Sequence, residues 1–146
     1  MKASIIRLIT LWSVGAMTYG LLEILSRGFT HISMGILGGI CFIIIDVVNT
    51  RASIIKRLSV RMLLCAFIIT VLEFITGIIV NVWLRLAVWD YSEVPMNFCG
   101  QICLYYCVVW YLISYFGAFM SLTVRQLIFR EDRIRFALPV LKRKSV

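Results

Sequence analysis

The sequence predicts an all-α, polytopic integral membrane protein: a four-helix transmembrane bundle with both termini in the cytoplasm. Three observations predict it. Four apolar runs are long enough to cross a hydrocarbon core of about 30 Å. Of the 146 residues 62% are hydrophobic and 15% charged, where a soluble domain carries about 25% charged residues. Of the 15 Lys and Arg, only Arg27 and Arg85 fall on one side of a four-span topology, so the positive-inside rule sets the orientation.

The first span covers about residues 5–25. Lys2 and Arg7 precede it as they would a signal peptide, but no clear small-x-small cleavage site precedes Glu23, and a span is the better reading. The second, about 32–48, is the shortest; it is rich in glycine (Gly35, Gly38, Gly39) and closed by Asp46. It reads as a full span, with a re-entrant element as the alternative. The third covers about 62–86 and the fourth about 102–128. Residues 1–128 thus form one transmembrane domain and 129–146 a basic cytoplasmic tail. Gly35 with Gly39, and Gly117 with Ser121, are small-x-x-x-small pairs that let helices approach closely.

The net charge of +8 is spread between apolar runs rather than along one soluble face, so no nucleic-acid partner is expected. The middle loop, 50–61, sets Ile54, Ile55 and Leu58 against Arg51, Lys56, Arg57 and Arg61, which predicts a short amphipathic helix on anionic membrane lipid. The tail repeats the pattern, with Ile128, Phe129, Ile134 and Phe136 among Arg130, Arg133 and Arg135, and Pro139 ending any helix.

The run between Val60 and Trp89 carries one carboxylate, Glu73. With Arg7 and Arg61 marking the cytoplasmic surface, a rise of about 1.5 Å per residue puts Glu23 about 24 Å and Glu73 about 18 Å along their helices, both in the outer half. An ionisable group at that depth is costly and marks a functional site by default. The outer side also receives Arg27, Arg85, Trp89, Asp90, Tyr91, Asn97 and Gln101. With Glu23 and Glu73 these form a candidate substrate- or ion-binding set. The competing explanation is structural, for Glu73 as for Glu23: a Glu and Arg pair can lock helices together and do nothing else, and Glu23 has Arg27 four residues away on the same helix face.

Asp46 reads as a cytoplasmic-end residue that snorkels. In residues 89–100, Trp89 and Tyr91 suit the interfacial belt and Asp90, Ser92 and Pro95 a tight turn, while Asn97 and Gln101 leading into the fourth span are amides in need of partners. Cys99, Cys103 and Cys107 recur every four residues and would share one helix face, for packing rather than for a metal. No metal site, cofactor or catalytic set is expected, because the one histidine, His31, lies in a loop.

Tyr19-Gly20-x-x-Glu23, Glu73-Phe74-x-Thr76-Gly77, Trp89-Asp90-Tyr91-Ser92, Asn97-x-x-Gly100-x-Ile102-Cys103-Leu104 and Trp110 occur in this order. Together they resemble the Putative ABC-transporter type IV (CmpB-like) membrane family, which includes the animal transmembrane protein 229 proteins. The resemblance implies motif positions at Glu23, Glu73, Trp89, Asp90, Tyr91, Asn97, Gly100 and Trp110, and a transport role. The chain holds no G-x-x-x-x-G-K-[ST] loop, so any ATP coupling would come from a separate ATPase or larger membrane complex. The expected function is a transport or permease-like subunit in the cell membrane, assembled as a homo-oligomer because four short spans can hardly enclose a pathway. A scaffold or regulatory subunit, and a membrane-embedded enzyme acting on a lipid-like substrate, are the alternatives.

Overall fold

The computed structural model describes residues 2–51 and 55–130, the first two by their backbone alone. The protein consists of α1 (Lys2–Arg27), α2 (Ile32–Arg51), α3 (Leu58–Gly77) with a π-helical extension (Ile78–Trp83), a small hairpin of β1 (Asn97–Phe98) and β2 (Ile102–Cys103), and α4 (Leu104–Leu127). Among the described residues four helices are long and apolar enough to cross a membrane: Ser4–Arg27, Ile32–Arg51, Leu58–Trp83 and Leu104–Leu127. Helices are the expected outcome because lipid offers no partner to an open backbone group, and Pro95, the one proline among the described residues, falls inside none of them. The glycine-rich second run is an unbroken helix of 20 residues, about 30 Å at 1.5 Å per residue. That length removes the need for a re-entrant element. Gly28, at φ +79°, stops α1, and its N–H caps Ile24 O at 2.9 Å.

The inner-leaflet helix expected over 50–61 is not a separate element where the chain is described. Thr50 and Arg51 complete α2, and Leu58–Arg61 open α3. Residues 52–54, and the tail with Arg133, Ile134, Arg135, Phe136 and Pro139, lie outside the described residues. Arg61 ties the two helices together, donating from Nε to Ile55 O at 2.6 Å and from an Nη to Asn49 O at 2.9 Å.

In the packing, α1 leans on α2, α2 also touches α3 and α4, and α3 packs on α4, while α1 and α4 meet only sparsely. Glycines set the α1–α2 distance. A Cβ at Gly15 would lie 2.3 Å from Phe42 Cβ, at Gly38 2.4 Å from Tyr19 Cβ, and at Gly39 2.5 Å from Trp12 Nε1. The expected Gly35 and Gly39 pair is therefore corrected. Gly35 faces open space, because α2 presents its Gly38–Gly39 edge to α1 and successive residues on a helix point about 100° apart. The other pair holds: a Cβ at Gly117 would meet Ile45 Cδ1 at 2.9 Å, and Ser121 is fully buried. Gly38→Ala is accordingly expected to cost about 1–3 kcal/mol through overpacking. Gly35→Ala should instead be neutral or stabilise by about 0.5–1 kcal/mol, since alanine is the better helix former. Melting both variants in detergent checks the contrast.

Asp46 does not snorkel. It is 2% exposed, and both its oxygens accept from Arg125: Nε reaches Oδ1 at 2.7 Å and an Nη reaches Oδ2 at 2.6 Å. The reason is that α4 delivers Arg125 to the same level of the bundle, and a bidentate guanidinium satisfies a carboxylate better than a stretched side chain in an interface can. This pair ties α2 to α4 at the end of the bundle opposite the hairpin.

Candidate functional site

The connector from Leu84 to Cys103 folds back onto the end of α3. The π-helical turn carries Asn81, whose Nδ2 donates to Gln101 Oε1 at 2.9 Å and whose Oδ1 accepts from Val88 N–H at 2.7 Å. Gln101 lies against Gly77, where a Cβ would be 2.5 Å from its Oε1 and 3.1 Å from the Trp89 ring. Trp89 donates from Nε1 to Gln101 O at 3.0 Å. Gly77 thus leaves the space in which connector and helix interlock, level with the last turn of α3 rather than above it.

The hairpin itself turns at Cys99 and Gly100, with φ +53° and +65°, two successive left-handed residues as tight turns require. Gly100 is held here by space as well, since a Cβ would meet Ser92 Oγ at 2.6 Å. Asn97 is spent locally: its amide donates to Ser92 O at 3.1 Å and Val94 O at 2.9 Å, and its Oδ1 accepts from Gly100 N–H at 3.1 Å. Asp90 Oδ1 accepts from Ser92 N–H at 2.8 Å and from Ser92 Oγ–H at 2.6 Å. These two bonds hold the Asp90 carboxyl below the usual carboxylate range.

So arranged, the connector lowers Tyr91 onto Glu73. The Glu73 side chain, 1% exposed, accepts from Trp110 Nε1–H at 2.7 Å on one oxygen and from the Tyr91 hydroxyl at 3.2 Å on the other. Both donors are uncharged. Around them the rings form a chain: Tyr19 stacks on Trp110 at 5.8 Å, Tyr106 lies 6.3 Å from Trp110, and Tyr91 stacks on Tyr106 at 4.7 Å. Burial, and then the Glu73 carboxylate, push the Tyr91 phenol far above its ordinary value. A raised pKa means that stability drawn from this contact is complete below about pH 10, the free phenol's value, and is lost as the pH rises beyond it. Tyr91→Phe is therefore expected to flatten the alkaline limb of a stability profile followed by tryptophan fluorescence.

Glu23 is 7% exposed and forms an ion pair with Arg27; its other oxygen accepts from Thr30 Oγ1–H at 2.6 Å. Arg27 reaches the connector as well, donating to Val88 O at 2.9 Å, and lies 4.7 Å over the Phe29 ring. Between the end of α1, the connector and α4 lies a cleft of about 530 Å³, lined among others by Tyr19, Glu23, Arg27, Asp90, Tyr91 and Trp110. Glu73 stands behind it. Trp110 and Tyr19 line both this cleft and a narrow, apolar slot of about 50 Å³ that Glu73 faces.

Of the residues singled out from the sequence, Glu23, Arg27, Trp89, Asp90 and Tyr91 line the cleft, and Glu73 is bonded to its wall through Tyr91 and Trp110. Asn97 and Gln101 shape the connector and do not line the cleft. Arg85, at φ +54°, is exposed and also lies outside the lining. The shared cysteine face is corrected: Cys99 is at the turn, Cys103 in β2 and Cys107 in α4, because the helix starts only at Leu104. Tyr106 and Asn81 were missed. An amide inside an apolar run demands a partner, and that signal marks Asn81; Tyr106, one turn before Trp110 on the same face of α4, could have been found by its spacing.

A buried carboxylate met by neutral donors can hold a proton or attract a cation, and the aromatic chain beside it can receive one. Compared with known proteins, the chain matches the family model described as Putative ABC-transporter type IV over residues 10–138. No curated protein and no solved structure matches it.

Proposed function

The chain belongs to the Putative ABC-transporter type IV family, and from that premise we propose that it is a transport or permease-like subunit whose working group is Glu73, exchanging a proton or a cation at a polar site in the outer half of the membrane. The observation that carries this reading is the bonding of Glu73 inside a candidate span. Its donors among the described residues are Trp110 and Tyr91, both neutral, while the basic group in the site, Arg27, is turned to Glu23 and Val88 O. A carboxylate locked for structure alone would be expected to own a cation, as Asp46 owns Arg125.

The distribution of Lys and Arg supports cytoplasmic termini and a cell-membrane location. The lack of a phosphate-binding loop in the chain supports a separate ATPase or larger membrane complex as the energy source. Four spans supply few walls for a pathway, which supports a homo-oligomer in membrane lipid. The test is proton flux: the full chain in vesicles with a trapped pH-sensitive dye, compared with Glu73→Gln. The variant is expected to assemble normally and to leak no faster than protein-free vesicles. Flux that persists in it overturns the reading.

A further inference from the structure

We propose that the outer cleft and the apolar slot beneath it form one groove for a membrane amphiphile with an ammonium head, entered sideways between α1 and α4. The proposal rests on the reading of this end of the bundle as the transport site.

Three features carry it. The first is the flank. Because α1 is held by α2 and meets α4 only sparsely, the seam between α1 and α4 is where both the cleft and the slot lie. They are continuous in their walls, sharing Tyr19, Leu22, Trp110 and Ile113. Leu22 and Phe116, 41% and 55% exposed, form the edge of this seam and face outward, where acyl chains lie against a membrane protein.

The second is polarity by depth. The connector end carries Glu23, Arg27, Asp90 and the rings of Tyr91 and Tyr106. Further along, the slot is lined by Leu37, Phe42, Ile113, Phe116 and Met120, with Glu73 at its head. A largely aromatic chamber of about 530 Å³ that carries the charged groups, opening onto a narrow apolar slot of about 50 Å³, has the shape of a head and a single chain. A small polar solute would leave the apolar part unused.

The third is the sign of the charge. Arg27 is matched by Glu23, whereas Asp90 is bonded only to Ser92 among the described residues, and Glu73 lies behind Trp110 with neutral donors. The chamber therefore has an excess of carboxylate. Aromatic faces beside carboxylates favour an alkylammonium, which needs no hydrogen-bond acceptor of its own. An anionic head would meet Asp90 at the mouth.

The experiment titrates the full chain in nanodiscs with a bromoalkyl-trimethylammonium that quenches tryptophan fluorescence. The expected result is saturable quenching, with binding about tenfold tighter than that of the same chain bearing a sulfate head, and about tenfold tighter than that of tetramethylammonium. Ile113→Phe, which narrows the slot, should remove the advantage of the chain. Asp90→Asn, whose amide oxygen still accepts from Ser92, should remove the preference for the positive head. Non-saturable partitioning, equal binding of the sulfate, or equal binding of tetramethylammonium each overturns the proposal. Glu73-dependent proton flux without saturable binding overturns this inference alone; head-selective binding by a protein that conducts no protons overturns the transport reading alone.

Discussion

Arg125→Met is expected to destabilise the bundle by about 3–5 kcal/mol, the usual cost of leaving one partner of a buried ion pair alone. Asp46 is 2% exposed, and among the described residues the bonds to its carboxylate are those from Arg125, so the variant strands a charge between α2 and α4. Those helices otherwise meet through close-packed surfaces such as Gly117 against Ile45, which do not solvate a carboxylate. Asp46→Leu combined with Arg125→Met should recover most of the loss, because an apolar pair of similar size removes the desolvation penalty together with the attraction. Tryptophan fluorescence during denaturant titration in detergent measures both. A single variant as stable as the parent would show that the pair contributes nothing to holding the helices.

Glu73→Gln is expected to abolish flux while sparing the fold, and Glu73→Leu to damage both. Glutamine keeps an oxygen for Trp110 Nε1–H, and its amide can donate to the Tyr91 hydroxyl, so the hydrogen bonds now made at 2.7 and 3.2 Å keep partners. What glutamine loses is the ability to gain and release a proton. Leucine strands two donors, at about 1–3 kcal/mol for each buried group left unmade. Comparing the two separates a titrating role from a merely bonding one: equal flux in parent and glutamine variant, with only the leucine variant impaired, would assign Glu73 to structure.

How much was legible follows from which interactions are local. The Glu23–Arg27 contact is four residues long and could be read from helix spacing. The pairing of Asp46 with Arg125 spans 79 residues. From the sequence Asp46 reads as a snorkelling acid, because nothing along the second span reveals which face the fourth span will turn toward it. Asn97 and Gln101 are legible as amides in need of partners, yet Asn97 finds Ser92 O and Val94 O within the connector and Gln101 finds Asn81 on the π-helical turn, a meeting that exists only once the connector has folded back. The cysteine spacing misled because a period of four has meaning only on a helix, and the turn at Cys99–Gly100 keeps the chain extended up to Leu104.

The sequence by itself determined that four helices, long and apolar enough to cross a membrane, would form, that an acid would lie within the third, and which family the chain belongs to. The helices and the place of the acid follow from run length and composition, since a backbone surrounded by hydrocarbon has to bond to itself and a helix is the local way to do so; the family follows instead from the ordered motifs between Tyr19 and Trp110 and the family model that matches residues 10–138. The tertiary structure alone decided which side chain each buried acid meets, that Tyr91 is lowered onto Glu73, and that α1 and α4 leave a seam between them. Those depend on how far each helix is rotated about its axis, and the rotation is set by a few atoms of clearance at Gly15, Gly38, Gly39, Gly77 and Gly117.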